Sequence, residues 1–233
     1  MSGSTVPAVA PPADRLAGMR LCVLVDGGED AGRFGRLVAA LFEAGLRCLQ
    51  VRDKALSTAV LVERVQAALA AAGRHTCGDG GPLVIVNDRA DVARACQAAG
   101  VHVGAEDLPV PMARDVVGVG RLVGRTTHDL AAVRRAVADG ADYIGVGPCF
   151  PSATKSFAAQ APRDFLAAAV RESGLPAFAI GGVTLERLDE LAALGVTRVA
   201  VASAVTAAAD PAAATAEFIS RLARLVPPPE PRL

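Results

Sequence analysis

Several short apolar runs in this chain end on polar residues able to hold charged ligands. One run ends in Gln50-Val51-Arg52-Asp53-Lys54. Alternate residues of an extended strand point the same way, so Gln50 and Arg52 share a side and Lys54 continues it. An amide, a guanidinium and an ammonium converging there suit a phosphorylated ligand; a solvated charge cluster on a loop is the plain alternative. The next two runs lead into Asn87-Asp88-Arg89 and Gly104-Ala105-Glu106-Asp107. Carboxylates are hard oxygen ligands, and beside phosphate-binding cations they suggest a magnesium ion shared with a diphosphate. General acid–base catalysis is a second use for such a pair. Helix capping is a third, because Asp88 and Asp107 both precede plausible helix starts.

Further along, Ser152-Ala153-Thr154-Lys155 sets two hydroxyls beside a lysine, within a long loop from Gly147 to about Pro162. This grouping suits phosphate oxygens, and the loop has the length of a lid; an ordinary surface turn is the alternative. Gly181-Gly182 and Ala202-Ser203 follow the last two apolar runs. Glycines there allow backbone N–H groups to approach an anion. The histidines, His75, His102 and His128, lack metal-ligand spacing to one another. His75 reads as inert, His102 as a core residue inside a strand, and His128 as either a cap or a proton-transfer group. No convincing nucleophile stands out.

Positioning these residues requires an alternation of strands and helices. Strand-like runs cover residues 21–26, 48–52, 83–87, 101–103, 122–126, 143–146, 177–180 and 199–202. Helical spacing of apolar residues covers 33–44, 57–72, 90–99, 112–117, 129–139, 165–172, 185–194 and 211–225, and Gly45, Gly100, Gly140 and Gly195 are read as helix stops. Strict β-then-α order implies a parallel sheet with right-handed crossovers, and eight units imply closure into a single (β/α)₈ barrel. An open doubly wound sheet would want a GxGxxG after strand one, where Asp26-Gly27-Gly28-Glu29 stands instead. In a barrel, the loops after the strands carry the chemistry, and phosphate is often held after strands seven and eight. Every cluster above falls on that end.

The 233 residues fit one barrel, expected over 19–226, with tails at 1–18 and 227–233. Lys+Arg 24 balance Asp+Glu 24, and aromatics are 3%, so neither a basic field nor a base-stacking surface marks a nucleic-acid binder. No apolar stretch has the length of a membrane span, and the Pro- and Ala-rich head lacks the layout of a signal peptide. The five cysteines have no CxxC spacing and read as thiols of a reducing compartment, which points to the cytoplasm. The expected partners are small-molecule substrates, and homo-oligomerisation stays open.

These motifs, in this order, resemble the thiamine-phosphate synthase family over about residues 20 to 220. The carriers are Gln50-Val51-Arg52-Asp53-Lys54, Val86-Asn87-Asp88-Arg89, Gly100-Val101-His102-Val103-Gly104 with Glu106-Asp107-Leu108-Pro109, Asp142 through Pro148, Thr154-Lys155, and Ala179-Ile180-Gly181-Gly182. The resemblance implies Mg²⁺-dependent coupling of 4-amino-2-methyl-5-hydroxymethylpyrimidine diphosphate with 4-methyl-5-hydroxyethylthiazole phosphate. By that resemblance Gln50, Arg52, Lys54 and Asn87 contact the pyrimidine substrate, and Asp88 and Asp107 hold the metal. Thr126 stands where the family has a serine, and Lys155 binds diphosphate. Ser152, Thr154, Gly182 and Ser203, with Ala202 before it, hold the thiazole phosphate. Arg52, Lys54, Thr126 and Lys155 are the expected catalytic set. Thr126 for serine, Ser152 for threonine and the small Ala202 depart from the family pattern. Two rivals remain: the related thiazole tautomerase, to which Arg125 and His128 are also similar, and a ligand sensor on a retired barrel.

Overall fold

The run Leu21–Val25 is wholly buried and forms β1, in the computed structural model that describes residues 12–16, 18–28, 30–75, 81–151 and 161–225. Seven further apolar runs form β2 (Cys48–Val51), β3 (Leu83–Asn87), β4 (Gly100–Val103), β5 (Leu122–Thr127), β6 (Tyr143–Val146), β7 (Ala177–Ile180) and β8 (Val199–Val201). Each pairs in parallel with its neighbour in sequence, and β8 closes onto β1 with Leu21 opposite Val199. The expected (β/α)₈ barrel is therefore the observed one. Closure leaves no sheet edge with unpaired backbone groups.

Alternation divides each strand between two cores. Cys22, Leu24, Cys48, Ile85, Leu122, Tyr143 and Phe178 fill the barrel interior. The intervening Val23, Leu49, Val84, Val101, Val123 and Ile144 face the helices in a larger, continuous core. The helices are α1 (Pro12–Leu16), α2 (Ala31–Glu43), α3 (Thr58–Gly73), α4 (Ala90–Ala95), α5 (Val110–Val117), α6 (Leu130–Ala138), α7 (Arg163–Ser173), α8 (Leu188–Ala193), α9 (Ser203–Thr206) and α10 (Pro211–Arg224). Asp30, Ser57, Asp129 and Asp210 cap α2, α3, α6 and α10, each side chain accepting from a first-turn N–H left without an intrahelical acceptor.

Four details differ from the sequence reading. Within the stretch read as an N-terminal tail, α1 brings Leu16 into the barrel's interior core, because the apolar end opposite the mouth needs a cover. The helix expected over 90–99 stops at Ala95, and Gly100 is not its terminator but the first residue of β4. A Cβ on Gly100 would sit 2.1 Å from the Leu122 carbonyl oxygen, so glycine is needed for strand approach. The helix at 185–194 opens with a 3₁₀ turn, Leu185–Arg187. A short helix, α9, follows β8 directly.

Gly100→Ala is expected to lose at least about 3 kcal/mol of stability, because backbone must move to admit the methyl group. Gly35→Ala, inside α2 where an added Cβ meets nothing within 4 Å, should instead gain roughly 0.5–1 kcal/mol through helix propensity. Denaturant midpoints of the two variants should move in opposite directions.

Candidate active site

Gln50 is the last inward residue of β2, and it is only 4% exposed. Its side-chain amide has no hydrogen-bond partner among the described residues and opens instead onto the space at the mouth. The amide lines a cavity of about 430 Å³ at the C-terminal mouth of the barrel. Around the same cavity stand Arg52 and Lys54 after β2, Asn87 and Asp88 at the end of β3, Asp107 after β4, and Thr126 in β5. A second cavity of about 260 Å³ lies beside it, walled by Gly181, Gly182, Ala202 and Ser203. The two cavities share Leu24, Arg52, Ile180 and Gly181. The mouth therefore holds two adjoining compartments, with one guanidinium on their common wall.

In the first compartment Lys54 Nζ lies 3.1 Å from Asp88 Oδ2. Asp88 has φ 58°, in the left-handed region that aspartate tolerates better than most residues. Its N–H donates to the His102 carbonyl at 2.8 Å, tying the end of β3 to β4. Burial raises the Asp88 carboxyl above the usual range, and the adjacent Asp107 raises it further, against the pull of Lys54. Asp107 goes the other way. Burial pushes it up, but hydrogen bonds from Asp88 and from the Gly104 N–H, the latter at 2.8 Å, bring it below its ordinary value. Two carboxylates crowded in this way are relieved by a cation between them. Neither residue caps a helix: α4 and α5 have Arg89 and Pro109 at their N-caps, with no side-chain cap. Among the described residues no group of three or more His, Cys, Asp or Glu could hold a metal. Two carboxylates with room for phosphate oxygens and waters fit magnesium, which seldom takes an all-protein cage.

Inside the mouth His102 bridges Thr126 and Tyr143, with Nε2 2.8 Å from Thr126 Oγ1 and Nδ1 3.2 Å from the Tyr143 hydroxyl. Burial, then the charges of Arg125 and Arg52 against that of Asp107, holds the imidazole down to about 4. His102 is thus neutral and touches an expected site residue, a link the sequence reading missed by assigning it to the core. The available signal was alternation, which turns His102 and Thr126 inward on neighbouring strands.

His128 is not a helix cap, since Asp129 fills that role. Its Nδ1–H donates to the Gly147 carbonyl at 2.5 Å, at the start of the long loop. Asp53 lies in the ligand-like cluster but accepts from the Gly27, Ala55 and Leu56 N–H groups, and so braces two loops. Arg125 extends outward from β5, near the Ala105 and Leu108 carbonyls of the loop that carries Asp107. Arg187, also unforeseen, donates to the Gly182 carbonyl at 2.6 Å and stacks 4.4 Å over the Phe150 ring. Gly182 has φ 62°, and a Cβ there would lie 2.3 Å from the Pro151 carbonyl oxygen. Ser152, Thr154 and Lys155 lie outside the described residues.

A family model described as thiamine monophosphate synthase matches residues 21–205. A thiamine-phosphate synthase of Acidothermus cellulolyticus is 40% identical over 210 residues, covering 89% of this chain and 97% of that protein. One of Thermosynechococcus vestitus is 40% identical over 192 residues, 82% of this chain; there the chain spans about half the relative's length, 53%. Among solved structures, a thiamine phosphate pyrophosphorylase from Pyrococcus furiosus superposes with a TM-score of 0.76 at 28% identity, covering 90% of this chain and 98% of that one.

Because folding lowers the affinity of His102 for a proton from 6.5 to about 4, the unfolded chain takes up that proton first as pH falls. The contribution of His102 to stability is then intact above about 6.5 and is lost as pH drops toward 4, by roughly 3 kcal/mol at about 1.4 kcal/mol per tenfold change. Urea unfolding at both ends of this window should show a steeper loss for the natural protein than for His102→Gln. Equal losses would count against a buried neutral imidazole.

Proposed function

The chain belongs to the thiamine monophosphate synthase family, and from that premise we propose that it joins a pyrimidine methyl diphosphate to a thiazole phosphate. The products are thiamine phosphate and diphosphate. The observation that supports this most is the pair of adjoining compartments with Arg52 on their shared wall. One carries cations and a crowded carboxylate pair, and the other carries the glycine loop after β7. A reaction of two phosphorylated rings needs two such neighbouring anion sites.

In this reading the pyrimidine ring faces Gln50, Asn87 and Thr126, and the free amide of Gln50 finds its partner on the ligand. Arg52 and Lys54, joined by Lys155, meet the diphosphate. Asp88 and Asp107 would hold Mg²⁺, which when bound supplies charge neutralisation to the departing diphosphate. The bond between the methylene carbon and the diphosphate oxygen breaks first, and its electron pair leaves with the diphosphate. Arg52 and Lys54 stabilise that developing charge in a mouth partly screened from water. The thiazole nitrogen then donates its lone pair to the methylene carbon, forming the C–N bond. Gly182, Ala202 and Ser203, with Ser152 and Thr154, hold the thiazole phosphate so that the two rings meet in line. Proton transfer has little part in this chemistry, which agrees with a neutral, buried His102 and a His128 tied to Gly147.

Purified protein supplied with both substrates and Mg²⁺ should release diphosphate and thiamine phosphate together. No coupling, with conversion of a thiazole carboxylate tautomer instead, would overturn the reading in favour of the tautomerase. Asp88→Ala and Asp107→Ala should each cut turnover by on the order of 10²-fold or more, and both should blunt the response to added Mg²⁺. Full activity with an unchanged metal response in both variants would remove the metal assignment.

A further inference from the structure

Three side chains stand in a row through the barrel's upper interior: Tyr143 on β6, His102 on β4 and Thr126 on β5. The strands leave space for them by omission. A Cβ on Gly124 would lie 2.1 Å from Tyr143 Cζ, and one on Gly145 would lie 3.4 Å from His102 Cε1. The Tyr143 ring packs edge-on against Phe178 at 5.8 Å and lies 5.4 Å from the imidazole. Tyr143 and His102 are 7% and 8% exposed, so neither has water as an easy substitute partner.

The row can be hydrogen-bonded in two directions. In one, Nδ1–H donates to the Tyr143 oxygen and the Thr126 hydroxyl donates to Nε2. The phenol hydrogen is then left over, and among the described residues the Tyr143 hydroxyl has no hydrogen-bond partner besides His102. In the other, Tyr143 donates to Nδ1 and Nε2–H donates to Thr126 Oγ1, so that the phenol and imidazole hydrogens are both used. An unpaired buried donor is costly enough to tilt the ratio by about tenfold or more toward the second arrangement. Thr126 Oγ1 also has no other hydrogen-bond partner among the described residues, and it lines the mouth cavity. With its oxygen accepting from His102, its own hydrogen remains to be given away. Burial keeps both the phenol and the imidazole uncharged, so neither direction is altered by ionisation near neutral pH.

We propose that Tyr143 is a positioning residue that fixes His102 as its Nε2–H tautomer, and so makes the Thr126 hydroxyl a hydrogen-bond donor to an acceptor nitrogen of the bound pyrimidine. The identity of that ligand rests on the coupling reaction proposed above; the direction of the row does not. A lone threonine hydroxyl rotates and serves as donor or acceptor indifferently. Held by Nε2–H, it selects a ring presenting a lone pair over one presenting an N–H. The methyl group of threonine restricts rotation about χ1 further.

The tautomer can be read in the ligand-free protein by ¹⁵N spectroscopy of labelled histidine, with three histidines to resolve and His102→Asn to assign the signal. The natural protein should show protonated Nε2 and bare Nδ1, and Tyr143→Phe should show a mixture. In the coupling assay Tyr143→Phe should lower kcat about tenfold and leave KM for the thiazole phosphate unchanged. Its effect should persist beside Thr126→Ser, which keeps the hydroxyl, and vanish beside Thr126→Val, because a residue acting through Thr126 has nothing to act on there. Protonated Nδ1 in the natural protein would overturn the proposal, as would an equal kcat loss from Tyr143→Phe in the Thr126→Val background. A protein that fails to couple the substrates would remove the pyrimidine reading, while the tautomer measurement would still decide the direction of the row.

Discussion

Closure of eight parallel strands is the constraint on which the rest depends. A closed sheet has one inside, and alternation commits every second side chain to it. Near the covered end those side chains are Cys22, Cys48 and Leu83, packed with Leu16 of α1, and they are apolar. Nearer the mouth they are Gln50, His102 and Thr126, which need partners. An inward polar group in so narrow a space must pair with another or face whatever enters the mouth. His102, Tyr143 and Thr126 take the first course, and the amide of Gln50 takes the second.

Like charges at the mouth are held together by the same closure. Asp88 follows β3 directly, beside the Asn87–His102 pair, and Asp107 in the loop after the neighbouring β4 is held by the Gly104 N–H. Burial first, and then the neighbouring Asp107, raise the proton affinity of Asp88. Lys54 answers only part of it, because its ammonium is largely solvated and such pairs contribute little. A site in this state favours a cation or a proton between the carboxylates.

Several residues shape the mouth without facing it. Asp53 and the buried Arg64 pin Gly27 from its N–H and its carbonyl, which holds the loop after β1 against the loop after β2. Arg187 fixes the Gly182 carbonyl and rests on Phe150, joining the loops after β6 and β7. Gly182 itself is required because the Pro151 carbonyl occupies the place of a side chain. These braces are made by loops and by helix residues outside the strands, while the strands keep a regular ladder.

The sequence by itself determined the order of elements, the eightfold alternation and the strand ends that carry polar residues. Apolar periodicity and glycine stops are local signals, so strands such as 83–87, 143–146 and 177–180 were legible to the residue. The family resemblance rested on the same strand-end motifs. Only the tertiary structure decided what distant residues do to one another. It distinguished Asp53, which braces loops, from Asp88, which follows the end of β3 and lies 3.1 Å from Lys54. It turned Gly100 from a helix stop into a strand residue, and it gave the buried His102 of β4 its partner, Thr126. Those outcomes depend on which strands become neighbours and how closely they approach, distances that no spacing along one segment contains.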